Sequence, residues 1–157
     1  LLGVSSLTVP AAAQNQASID VLASVDGNAP LMAQGVNALN FGVATAGTPK
    51  TPASLATDAG RFTISGQPST PVTVSFQLPE RLTGAASTWI PITFGVNDGL
   101  LWAPYSTAYT TFDPRASFFT NMDALGNLII GISGTVSPPS GSITGNYTGT
   151  ITLTVTY

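Results

Sequence analysis

The chain has 157 residues and a net charge of −3, and only 7% of its residues are charged, far below the roughly 25% usual for soluble domains. That balance supplies no basic patch for nucleic acid, and the absence of cysteine and histidine removes disulfides, thiolate metal sites and the commonest general base and metal ligand. Polarity comes instead from Ser, Thr, Asn and Gln, a surface that repels its neighbours weakly and favours association, as in an extracellular coat, pilus or capsid subunit.

Residues Leu1–Gln16 (LLGVSSLTVPAAAQNQ) have two readings. One is the end of a secretory signal, with Pro10 and the run Ala11-Ala12-Ala13 resembling a cleavage site. The other is an N-terminal arm, residues 1–17, ahead of a single domain over 18–157. Both imply export. No run reaches the ~18 apolar residues of a membrane span. In Ser18–Val25, Ile19, Val21, Ala23 and Val25 alternate as in a strand, and Asp26-Gly27-Asn28 is a turn. Leu31–Val36 and Leu39–Val43 form a second apolar region, and Thr45–Asp58 reads as a loop.

Arg61–Ser65 and Val72–Leu78 alternate cleanly around the turn Gly66–Pro71, and are expected to form a hairpin. Trp89–Val96 is a strand interrupted by Pro91, which suggests an edge or a bulge. Asn97-Asp98-Gly99 is a turn, and Leu100–Pro104 and Tyr105–Phe112 are rich in aromatics. After Asp113-Pro114-Arg115 come Ser117–Thr120 and the long apolar stretch Leu125–Val136, in which Gly131 and Gly134 mark a bulge or close packing. Ser137–Ser142 is a loop. Gly145–Tyr157 has the strictest alternation: Tyr147, Ile151, Leu153, Val155 and Tyr157 in one row, threonine at every even position from Thr148 to Thr156 in the other. This is expected to be the closing core strand, around which the others pack. Seven to nine strands without a helical period predict an all-β fold, an antiparallel β-sandwich.

No catalytic constellation appears. The carboxylates Asp20, Asp26, Asp58, Glu80, Asp98, Asp113 and Asp123 fall mostly beside turn residues, where Asx chemistry accounts for them. Asp98 and Asp113 could face each other as a glycosidase pair does, and Asp98, Asp113 or Asp123 could join carbonyls around a calcium ion. Turn formation is the simpler reading, and neither an enzyme nor a cofactor is expected. Among the aromatics Trp89, Trp102, Tyr105, Tyr109 and Phe112, the group Trp102, Tyr105 and Tyr109 is the candidate ligand platform, against core or interface packing. Asn146-Tyr147-Thr148 matches a glycosylation acceptor, a tripeptide common by chance.

Low charge leaves sheet edges undefended. An arm containing Leu7, Val9, Ile19, Val21, Ala23 and Val25 could then add a strand to the next subunit, and a contact that does not close would build a filament. The stretch Gly145–Ile151 through Val155-Thr156-Tyr157, the element Leu39-Asn40-Phe41-Gly42, and Gly60–Gly66 followed by Val72-Thr73-Val74 resemble motifs of secreted spore coat protein U-type domains, which are similar to archaic chaperone–usher pilins. That resemblance implies an immunoglobulin-like sandwich completed by a donor strand from a neighbour. It also implies a homopolymer at the cell surface, with an export chaperone and an outer-membrane assembly protein as further partners. The alternative is a monomeric secreted adhesion or carbohydrate-binding module.

Overall fold

The computed structural model describes residues 29–103 and 107–157. Its strands are β1 (Met32–Asn37), β2 (Gly60–Ser65), β3 (Pro71–Gln77), β4 (Arg81–Thr83), β5 (Trp89–Thr93), β6 (Gly99–Trp102), β7 (Tyr109–Phe112), β8 (Phe118–Asn121), β9 (Asn127–Ile132), β10 (Thr135–Val136) and β11 (Thr152–Thr156). Among the described residues there is no α-helix, only a 3-10 turn at Ala85–Ser87. A five-stranded antiparallel sheet, ordered β1-β2-β9-β6-β7, forms one layer. Two three-stranded antiparallel sheets, β11-β3-β8 and β10-β5-β4, form the other. The fold is an antiparallel β-sandwich, as the alternation predicts.

Alternation along β9 shows how one layer serves two partners. Ile130 and Ile132 lie on the same face of the strand. Ile130 packs with Ile64, Val72 and Val74 under the β11-β3-β8 sheet, and Ile132 packs with Ile90, Ile92 and Val136 under the β10-β5-β4 sheet. Ile130, Ile132 and Val74 have no exposed surface, and each such side chain contributes roughly 1.5–3 kcal/mol by leaving water. A file of aromatic rings crosses this core, with centroids 6.0 Å apart from Phe62 to Phe76, 6.2 Å from Phe76 to Phe112 and 4.0 Å from Phe112 to Phe118.

Four local expectations change. Arg61–Ser65 and Val72–Leu78 are not a hairpin: β2 pairs with β1 and β9, whereas β3 pairs with β11 and β8. Ile64 and Val72 face each other across the core rather than side by side, because the turn carries the chain from one layer to the other. The stretch Leu125–Val136 is likewise two strands in different layers. The break falls at Ser133-Gly134, where a Cβ on Gly134 would come within 3.1 Å of Phe94 and of the Thr93 carbonyl. Pro91 sits in the middle strand of its sheet, not at an edge. The missing N–H would point to Ser137, the residue whose N–H the Pro91 carbonyl accepts (3.0 Å); Ser137 lies one position past the end of β10, so the bond is lost at the margin of the ladder and not within it.

The fourth change concerns the C-terminus. Only Thr152–Thr156 is a strand, and it lies at the edge of its sheet beside β3. Leu153 and Val155 are half-buried against the core and the threonines are exposed, so the two rows face as the alternation requires. Tyr147 and Ile151 pack instead on the second core cluster, because the stretch before β11 runs along β4 through a bridge between Thr83 and Thr148. The centre of the molecule is β9, flanked by β2 and β6.

Candidate functional site

Three parts of the molecule carry candidate functional residues: the sheet margins, one aromatic cluster and the acidic turns. The β10-β5-β4 sheet ends in β10 and in β4, which carries Arg81, whereas in the five-stranded sheet and in β11-β3-β8 the outermost strands are β1, β7, β8 and β11. Their sequences, MAQGVN, YTTF, FFTN and TLTVT, contain no charged residue. Every residue of β1 is exposed, including Met32 at 65%, and Phe119 of β8 is 81% exposed. At the mouth between β1 and β11 the Tyr157 hydroxyl donates to the Ala29 carbonyl (2.6 Å) and accepts from the Gln67 N–H (2.9 Å). This ties the end of β11 to the start of β1 and to the β2–β3 turn. The donor-strand candidates Leu7, Val9, Ile19, Val21, Ala23 and Val25 lie outside the described residues.

The aromatic cluster lies on the outer face of the five-stranded sheet. Leu100 and Trp102 share that face with Ile129, and with Leu55 and Ala59 from the segment that precedes β2 they form a third cluster. The Trp102 indole lies against Gly131, where any Cβ would collide with the Cζ3 and Cη2 edge of the ring. The Arg61 guanidinium sits 4.7 Å from the ring centroid, and its Nη2 donates to the Ala56 carbonyl (2.8 Å). Trp102 is therefore buried, with its ring occupied by glycine backbone and a cation. Tyr109 is its cross-strand partner, tilted at 5.8 Å between centroids and 43% exposed. Tyr105 lies outside the described residues. Of the candidate platform Trp102, Tyr105 and Tyr109, only Tyr109 presents open surface among the described residues.

The acidic turns are built from within. Asp98 accepts from the Gly95 N–H (2.6 Å), and Asp123 Oδ1 accepts from the N–H groups of Leu125 (2.9 Å) and Asn127 (2.7 Å). Asp113 accepts from the Arg115 Nε and Nη2, both at 2.8 Å, and from the Arg115 backbone N–H at 3.0 Å. Hydrogen bonds from the Arg115 side chain, and then from its backbone, hold the Asp113 carboxyl at about 2, below the ordinary 3.8. Among the described residues no group of three or more acidic side chains is placed to hold a metal ion. Trp89, named among the aromatics but outside the candidate platform, is the more exposed of the two tryptophans, at 52%. The signal was present in Trp89–Phe94, where Ile90, Ile92 and Phe94 alternate with Trp89, Pro91 and Thr93, so a core made of the first row turns Trp89 outward.

Compared with protein-family models and with curated proteins, the chain finds no match.

Proposed function

We propose that this chain is an extracellular structural subunit that polymerises into a pilus or surface filament by β-strand addition between copies. The observation that carries the reading is the set of outer strands β1, β7, β8 and β11 without a charged residue. Monomeric sheet proteins guard such margins with lysine or other charged residues, or with proline. Among the described residues β11 has a paired strand on one side only, and its Leu153 and Val155 are only half-buried against Phe76 and its neighbours. An added strand would satisfy that edge with main-chain hydrogen bonds and lay alternate apolar side chains over the exposed part of the core. The alternating segment Ile19, Val21, Ala23 and Val25, with Leu7 and Val9 before it, has the composition such a strand needs. An export chaperone and an outer-membrane assembly protein would guard the open edge before assembly.

The test is negative-stain electron microscopy of the full chain, of a chain lacking Leu1–Gln16, and of full-length Thr154→Lys, which sets a charge on β11. The full chain is expected to form filaments and Thr154→Lys to remain dispersed. Loss of filaments on removing Leu1–Gln16 would place the donor in that arm, and their persistence would move it to Ser18–Val25 or elsewhere in the chain. A full chain that stays monomeric at high concentration would sink the proposal.

A further inference from the structure

The outer face of the β10-β5-β4 sheet holds a tryptophan in a different setting. Along β5, Ile90 and Ile92 are buried while Trp89 is 52% exposed. Thr83 of β4 is its direct cross-strand neighbour. Thr148 pairs with Thr83 from the far side, each N–H reaching the other's carbonyl (2.8 and 2.9 Å). One row across the face is therefore Thr148–Thr83–Trp89. In the next, Arg81 stands opposite Pro91, and Thr150, two residues beyond Thr148, lines the same cleft.

The floor of this face is fixed by close packing. A Cβ on Gly149 would come within 2.8 Å of Leu82, and one on Gly84 within 2.8 Å of the Tyr147 ring. The Tyr147 hydroxyl is held in turn by donating to the Ile143 carbonyl (2.7 Å). Beside Trp89, the turn Gly84–Thr88 keeps Ala86 and Ser87 at φ 51° and 61°, a left-handed conformation that non-glycine residues adopt only when the surroundings impose it. The turn is closed by the Gly84 N–H on the Thr88 carbonyl (2.7 Å) and the Thr88 hydroxyl on the Ala85 carbonyl (2.7 Å).

Over this floor lies an open cleft of about 590 Å³ lined by Glu80, Arg81, Thr83, Trp89, Thr148 and Thr150, a size common among small-ligand sites. Arg81 offers only donors, Glu80 only acceptors, and the threonine hydroxyls both. Among the described residues neither the Glu80 carboxylate nor the Arg81 guanidinium has an ion pair. The two charges cancel, so the cleft favours neither an anion nor a cation. We propose that it binds a neutral oligosaccharide, one pyranose ring laying its C–H face on the Trp89 indole while Glu80, Arg81 and the threonines hydrogen-bond its hydroxyls. Indole joins a broad apolar face to a wet rim, and the residues around Trp89 supply that rim. An apolar surface from a second copy would fit worse, because it would bury both charges without partners. The site is separate from the strand edges of the filament reading and does not depend on it.

The experiment is titration of the full-length protein with cellohexaose, mannohexaose and xylohexaose, followed by calorimetry and by tryptophan emission. At least one is expected to bind saturably with a blue shift in emission. Trp89→Ala should weaken binding about tenfold or more, and Arg81→Met should weaken it several-fold with the circular dichroism spectrum unchanged. No saturable binding to any of the three at millimolar concentration overturns the proposal, as does binding that survives both substitutions. It is also overturned if Trp89→Ala changes the sedimentation coefficient while no sugar binds, which would make this face a contact between copies.

Discussion

The chain has two tryptophans, both on outward faces of sheets, and they meet opposite fates. Trp102 lies on a glycine, with Arg61 against its ring and Leu55 and Ala59 around it, and keeps 9% of its surface exposed. Trp89 lies beside Thr83 in a row of hydroxyls, with more than half its surface open. What separates them is the neighbouring strand. Gly131 leaves a gap in the sheet surface that a large ring fills, an arrangement that restores the packing a strand glycine forfeits. The residue across the ladder from Trp89 is Thr83, not a glycine, and Thr83 and Thr148 line the open cleft beside the ring with hydroxyls. Whether an aromatic on a sheet's outer face becomes a structural clasp or an open platform is decided across the ladder, not along the strand.

The sharpest way to break that contrast is Gly131→Val. The new side chain would occupy the space of the Trp102 ring and expel it toward solvent. Overpacking and the lost burial of an indole together are expected to cost about 3–5 kcal/mol. Urea denaturation should show the loss as a lower midpoint, and tryptophan emission of the folded variant should move to the red. A variant with unchanged emission and near wild-type stability would mean that Trp102 does not depend on the glycine.

The same rule explains what could be read from the chain and what could not. Period-2 alternation located most of the strands and their inward faces: Ile64, Val72, Val74, Leu128, Ile130 and Ile132 are all core, as the rows imply. It could not tell which strands are neighbours, because alternation is a property of one strand and pairing is a property of two. That is why β2 and β3 looked like a hairpin and β11 looked central. Nor could it grade the tryptophans. Trp102 stands near two tyrosines in sequence, but its burial comes from Gly131 and Arg61, which lie 29 and 41 positions away. The uncharged margins, by contrast, were legible from composition alone, since seven acidic and four basic residues cannot guard so many edges.

Arg61→Met tests the upper side of the clasp. The guanidinium over the Trp102 ring and its bond to the Ala56 carbonyl are both lost, while the aliphatic stem is kept. Among the described residues the Arg61 Nε is buried without a partner, so the substitution also removes that donor. The net expectation is a loss of about 1 kcal/mol, the range of a partly desolvated cation–π contact. Acrylamide quenching should rise for Trp102 and stay constant for Trp89. Equal quenching of the two before the substitution would contradict the assigned exposures.

The smallest effect belongs to the remaining kind of arginine partner. Arg115 is bonded to a carboxylate within its own turn rather than to a ring, and Asp113 is held at about 2 by the Arg115 side-chain and backbone donors. A carboxyl depressed in the folded state stabilises it above the ordinary 3.8, and that contribution fades as pH falls through about 2. The stability difference between wild type and Asp113→Asn should therefore be small and constant near neutral pH, and should shrink steadily below 3.8. Because the pair's hydrogen bonds among the described residues lie within its own turn, Trp89 and Trp102 emission should be the same in the two proteins throughout. A difference that grows toward acid would mean that the carboxyl is raised, not lowered. A difference in emission would show that this exposed turn communicates with one of the indoles, and comparing variants that lack Trp89 or Trp102 would identify which.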